Sequence, residues 1–345
     1  MPTTRRAVRD EQLTAVMTVR APLTYAAGAD EGLDRPAHVR AASGIAWLGG
    51  RLAVMQDDAS FVALVDLALG IEAGARAADA VALPPGPGGL RQFDDLRGNK
   101  ADKLDLEAAF TAGAGASERV IALGSGATPA RRRVLMMDAL GVSLVAADEL
   151  YLAIEDTAEL AGSELNLEGA ALLPDGRVRL FQRGNGAPGR GRLPVDAHWD
   201  VPLTALLAYL DGAAPAPRPR AEEVVQYDLG QLDSVRLTFT DAAWSPTDGA
   251  LSALACGERS PDAIRDGEVV GSALLVFDAL DGASPLRWAP ITAPGGAPLA
   301  VKAEGLTFTP GGDALVVLDA DDPVRPSELC ALAVTNPGPR SGARR

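Results

Sequence analysis

Five stretches of the chain are written in one grammar, and that repetition limits the fold more than any other feature. They are SGIAWLGGRLAVMQDD (43–58), LEAAFTAGAGASERVIALGSG (106–126), LEGAALLPDGRVRLFQRGN (167–185), TDAAWSPTDGALSALACGER (240–259) and AEGLTFTPGGDALVVLDADD (303–322). Each passes from a polar residue through a small one into an apolar run. A Gly-containing turn follows, then a strand of about five residues, then a polar cluster. Ser43, Glu107, Glu168, Asp241 and Glu304 are the equivalent anchors, recurring every 61 to 73 residues. Between anchors lie two further strand-like runs, for example RVLMMDAL (133–140) with ELYLAIED (149–156), and SALLVFDAL (272–280) with LRWAPI (286–291).

Short Val- and Leu-rich runs cut by Gly, Pro and Asp point to an antiparallel all-β chain. Four strands to a unit, repeated radially, is the plan of a β-propeller. The expected fold is a single propeller domain over residues 1–345, with units starting near 43, 106, 167, 240 and 303. The last unit has three obvious strands, ending at ELCALAV (328–334). QLTAVMTV (12–19) is a spare strand that would complete it and close the ring. Closure matters because an open ring leaves two unpaired edges. The count is five four-stranded blades. A sixth, degenerate blade within 20–42 or 186–235 is the alternative. VPLTALLAYL (201–210) reads as helix or strand. Residues 85–103, 183–194 and 211–222 are insertions, and 336–345 reads as a disordered tail.

Charge narrows the function. Forty-six acids against 32 bases give a net charge of −14, which argues against a nucleic-acid partner. No apolar run reaches the ~18–20 residues of a membrane helix. The N-terminus lacks the apolar stretch of a signal peptide. With Cys256 and Cys330 as the only cysteines, the expected compartment is the reducing cytoplasm. Two histidines exclude a three-His metal site. No G-x-S-x-G, HExxH or CxxC motif is present.

Inner strands of a propeller line its channel, so equivalent acids converge on the axis. Glu107, Glu168, Asp241 and Glu304, with Asn166 and Asp105 on the same strand parity, would there repel one another unless something compensates. A hard divalent cation does so, and an oxygen-only donor set points to Ca²⁺. Lys302 and Lys103 lie beside two anchors, so a structural ion-pair network is the competing explanation. A second set closes the units on one rim. Asp57, Asp58, Asp321 and Asp322 are candidates to activate water or accept a proton. Arg183 and Arg259 are candidates to hold an anionic group. Arg183, Arg190 and Arg192 lie in a Gly/Arg loop without phosphate-loop spacing.

LEGAALLPDGRVRLFQ and AEGLTFTPGGDALVVLDADD resemble the repeats of a propeller superfamily that includes gluconolactonases, paraoxonase-like lactonases and esterase-like phytase domain proteins. The closest likeness is to an uncharacterised bacterial family of that kind. The resemblance implies an inner-strand Glu holding a catalytic Ca²⁺, a role that falls best on Glu168 and Glu304. The enzymes' ring of Asn ligands has only Asn166 and Asn185 as counterparts here. Two functions are expected from these readings. One is a metal-dependent hydrolase of a phosphoester, ester or lactone. The other is a non-catalytic propeller that binds a protein partner or small ligand on its rim.

Overall fold

The computed structural model describes residues 4–68, 70–71, 74–157, 164–188, 193–212, 219–260, 267–280 and 286–337. Arg190, Arg192 and the tail from 338 lie outside these residues. The chain opens with β1 (Thr4–Arg9) and β2 (Thr14–Tyr25). Five antiparallel sheets then follow in chain order among the described residues. Sheet I is β3 (Ala42–Leu48), β4 (Arg51–Gln56), β5 (Phe61–Asp66) and β6 (Arg76–Ala82). Sheet II is β7 (Leu106–Ala112), β8 (Arg119–Gly124), β9 (Arg133–Asp138) and β10 (Gly141–Ala146). Sheet III is β11 (Leu167–Leu172), β12 (Arg177–Gln182), β13 (Asp196–Pro202) and β14 (Glu222–Asp228).

A two-residue strand, β15 (Gln231–Leu232), pairs with the start of β16. Sheet IV is β16 (Val235–Ser245), β17 (Ala250–Glu258), β18 (Val269–Phe277) and β19 (Leu286–Thr292). Sheet V is β20 (Lys302–Phe308), β21 (Ala314–Asp319) and β22 (Glu328–Thr335), with β2 antiparallel to β22 as its fourth strand. The first strands of the sheets pack in cyclic order: β3 on β7, β7 on β11, β11 on β16, β16 on β20, and β20 back on β3. The arrangement is all-β and propeller-like.

The core explains why the repeats read as unbroken apolar runs rather than alternating ones. Five apolar clusters lie between successive sheets rather than in one centre. Phe110 and Ile121 of sheet II meet Leu180 and Trp199 of sheet III. Phe181 of III meets Phe239 and Leu251 of IV. Leu254 and Leu274 of IV meet Val316 of V. Val317 of V meets Val54 and Phe61 of I, and Val62 of I meets Val120 of II. A sheet covered on both faces has apolar residues at consecutive positions.

The N-terminal segment runs across the outer edges. β1 pairs in parallel first with β14 of sheet III, through Thr4–Arg6, and then with β19 of sheet IV, through Ala7–Arg9. β2 pairs in parallel with β19 through Ala15 and Val16, runs along β22, and ends parallel to β6 through Leu23–Tyr25. One segment thus touches four of the five sheets.

Two local expectations change. ELYLAIED is helix, not strand: α1 spans Asp148–Glu155, and the fourth strand of sheet II is β10. Leu150, Tyr151 and Ile154 fall on one buried helical face, and Asp148 and Glu149 suit the positive end of the helix. The ambiguous 201–210 run is also helical, as α2 (Leu203–Leu210), with Leu206 and Leu210 buried one turn apart. Cys256 and Cys330 are buried, unpaired thiols. No helix among the described residues is long and apolar enough to cross a membrane.

Candidate functional site

Each innermost strand carries a β-bulge near its start. The extra residues are Ser43, Glu107, Glu168, Thr240 and Glu304. A bulge re-aims one side chain and locally breaks the ladder, so five equivalent residues are presented together. Asp241 is therefore not the equivalent of the other anchors; Thr240 is. Hydrogen bonds agree with this register. Ser43 Oγ donates to the Leu106 carbonyl at 2.5 Å, and Thr240 Oγ1 donates to the Ala303 carbonyl at 2.7 Å. Each partner is the residue just before the bulge of a neighbouring innermost strand.

The residue after the bulge is Gly in three strands because the strands nearly touch there. A Cβ on Gly44 would lie 2.4 Å from the Glu107 carbonyl oxygen, and one on Gly169 would lie 2.9 Å from Asp241 Cα. One on Gly305 would lie 3.1 Å from Gly44 Cα. The Glu-Gly pairs in the repeats thus combine an aimed carboxylate with a close backbone approach. Asp241 occupies this second position. It is fully buried, and its Oδ2 accepts from the Leu306 amide at 2.6 Å. Its Oδ1 has no partner among the described residues.

The ends of the second strands bring more charge to the same mouth. Lys103 Nζ lies 2.5 Å from Asp57, 2.9 Å from Asp58 and 2.7 Å from Asp105. Asp105 also accepts from Ser125 and pairs with Arg131 at 2.8 Å. Arg183 bridges Glu168 at 3.3 Å and Glu258 at 2.6 Å, and Asn166 donates to Glu168 at 2.7 Å. Lys302 pairs with Glu304 at 2.7 Å and reaches Asp321 at 3.4 Å.

Glu107 differs from these acids. It is 7 % exposed, and the neighbouring charges that weigh most on it are all carboxylates. Burial, and then the charges of Glu168, Asp57, Asp105 and Glu304, push its carboxyl well above the usual range. Oxygens of Asp57, Asp105 and Glu107 all lie within 4.8 Å of one another. Two other carboxyls are poised near neutrality. Burial, and then Asp58, raise Asp57 to about 7. Burial, and then Asp321 and Asp57, raise Asp319 to about 8.

Of the sequence candidates, Asp57, Asp58, Asp321, Arg183, Glu107, Glu168, Glu304 and Asn166 meet at this mouth. Asp322 instead accepts from the Val324 amide in its own loop, on the wall of a small cavity shared with Asp58 and Asp319. Arg259 stands half-exposed, paired with Glu268 at 2.7 Å. Sequence reasoning gave Asp319 no separate role and missed Thr240 and Arg131. A hydroxyl one position before Asp241, matching Ser43, was the available signal for Thr240. Lys103 and Lys302, expected beside two anchors as possible ion-pair partners, both place their ammonium groups in the mouth.

A family model described as "Family of unknown function (DUF6929)" matches residues 38–334. A search of curated proteins gives no match. Among solved structures, the chain is similar to a hypothetical protein from Leishmania major, at 13 % identity and TM-score 0.45, over 93 % of this chain and 94 % of that one. It is similar to the glutaminyl cyclase of Myxococcus xanthus at 12 % identity and TM-score 0.44, over 97 % and 100 %. It is similar to regucalcin, a calcium-binding protein of Agrobacterium tumefaciens, at 12 % identity and TM-score 0.39, over 85 % and 90 %. Likenesses this distant carry no argument about chemistry.

Proposed function

The chain belongs to DUF6929, a family of unknown function, and from its own residues we propose a five-bladed β-propeller whose acidic mouth binds a divalent cation, Ca²⁺, and hydrolyses a small ester, phosphoester or lactone. The blade count is supported by the cyclic packing of β3, β7, β11, β16 and β20 and by the five apolar clusters between sheets. The observation that carries the cation is Glu107, a buried acid whose dominant charged neighbours are carboxylates, with oxygens of Asp57 and Asp105 within 4.8 Å. These oxygen-only donors fit a hard cation. A divalent cation supplies polarisation of a substrate oxygen. Asp319, raised to about 8 and outside the donor set, is suited to hold or release a proton. Arg183 would hold an anionic group only by exchanging Glu168 or Glu258, which already engage it.

Thermal unfolding with EDTA and with Ca²⁺ tests this reading. Ca²⁺ at a hundredfold its Kd should add ~2.7 kcal/mol, and Glu107→Gln should abolish that gain together with turnover in an esterase, lactonase and phosphatase panel. No shift with either reagent would remove the ion.

A second reading rests on Lys103, whose ammonium already neutralises three carboxylates in the mouth. In that case the charges hold the ring together, and the rim binds a partner without catalysis. Ca²⁺ and EDTA would then leave unfolding unchanged, and no substrate class would turn over.

The mouth also predicts a pH dependence. Asp57 and Asp319 keep protons in the folded chain that the unfolded chain has already released. Their contribution is therefore fully present below the ordinary carboxylate range and is lost as pH rises through about 7 and about 8. Without added cation, Tm should fall across that interval. Asp319→Asn should flatten the upper part; an unchanged profile in that variant would remove Asp319 from the titration.

A further inference from the structure

The other end of the innermost-strand ring holds a second cavity, of about 250 Å³. Each innermost strand supplies consecutive residues to it: 45–47, 109–111, 170–172, 242–244 and 306–308. None of the lining residues is charged, although the chain carries 46 acids and 32 bases. Its polar side chains are few. Trp47 Nε1 already donates to the Phe308 carbonyl at 2.8 Å, and Thr111 Oγ1 donates to the Trp47 carbonyl at 2.7 Å.

Aromatic residues are only 4 % of the chain, yet Trp47, Phe110, Trp244 and Phe308 all line this one cavity. Of the four tryptophans, Trp199 and Trp288 are buried. Trp47 and Trp244, the two that remain partly exposed, both face this space. Partly solvated indoles in a concave, uncharged site mark a place where an apolar molecule gains by leaving water. The surrounding ring of five strands limits the occupant to something small. A cavity of ~150 Å³ lined by apolar side chains takes up benzene, so this one has room for a larger ring system. A helix or strand does not fit.

We propose that this cavity is a binding site for a small, uncharged, planar aromatic molecule, held by Trp47 and Trp244. The site stands apart from the acidic mouth. Between them lies the collar where Gly44, Gly169 and Gly305 bring neighbouring strands into contact. The inference therefore holds whether or not the mouth binds a cation.

The test uses indole, with indole-3-acetate and tryptamine as its anionic and cationic counterparts. Calorimetry and ligand-observed NMR on the whole chain should show saturable binding of one indole, and binding at least about tenfold weaker for both charged analogues. Trp244→Ala should weaken indole about tenfold, the scale of one lost aromatic contact plus its buried area. Trp244→Phe should retain most of the affinity and serves if the alanine variant fails to fold. Absence of saturable indole binding to the wild type would overturn the proposal. So would equal affinity for all three probes, or unchanged affinity in a folded Trp244→Ala.

Discussion

Lys103→Met should lower stability by ~3–5 kcal/mol at neutral pH, the range seen when one partner of a buried ion pair is removed. The methionine keeps most of the stem volume, so the loss is mainly one of charge. Asp105 retains Arg131 and Ser125, but among the described residues Asp57 is left with no ion-pair partner, and Asp58 only with Arg40 at 3.8 Å. Urea unfolding at several pH values measures the effect. It should shrink toward acid pH, because carboxyls that regain protons no longer need the ammonium. Ca²⁺ should restore part of the loss and bind the variant more tightly than the wild type, since the competing ammonium is gone. A loss under about 1 kcal/mol, the value of an exposed pair, would mean that the ammonium does not hold the mouth together.

Removing residues through Tyr25 should abolish cooperative unfolding. The truncation takes the fourth strand from sheet V and uncovers the outer edges of β14, β19 and β6. It also strips Leu13, Met17, Leu23 and Tyr25 from the clusters beside sheet V. At ~1.5–3 kcal/mol for each large buried side chain, the loss rivals the ~5–15 kcal/mol of a typical fold. Calorimetry of the truncated chain checks this, and a peptide covering 4–25 should restore the transition when added back. A truncated chain that melts cooperatively near the wild-type temperature would show that the strap is dispensable.

The innermost strands were legible because two independent signals coincide at each. Apolar runs are continuous where sheets are covered on both faces, and Gly-bearing turns such as Pro174-Asp175-Gly176 mark the hairpins, with Gly176 at φ 84°. The one-residue displacement at 240–241 left a single trace in the sequence, the hydroxyl that Thr240 shares with Ser43. Both positions are polar, and a bulge leaves no trace in periodicity. α1 was misread because its eight residues are too few to separate helix from strand by pattern alone. The charge balance of the mouth was half legible. Lys302 adjoins its partner Glu304 along one strand, whereas Lys103 reaches Asp57 across 46 residues and two sheets. That second kind of contact exists only once the ring has closed.

The parallel courses of β1 and β2 along the sheet edges also set a timetable. β2 is synthesised well before β22, its antiparallel partner in sheet V. At ~5–20 residues per second, synthesis of the chain takes tens of seconds. Throughout that time, β2 waits without its partner while the intervening sheets assemble. Nascent chains arrested before residue 328 should therefore present β2 as an open, apolar edge to chaperones, and emergence of β22 becomes the moment at which the ring locks.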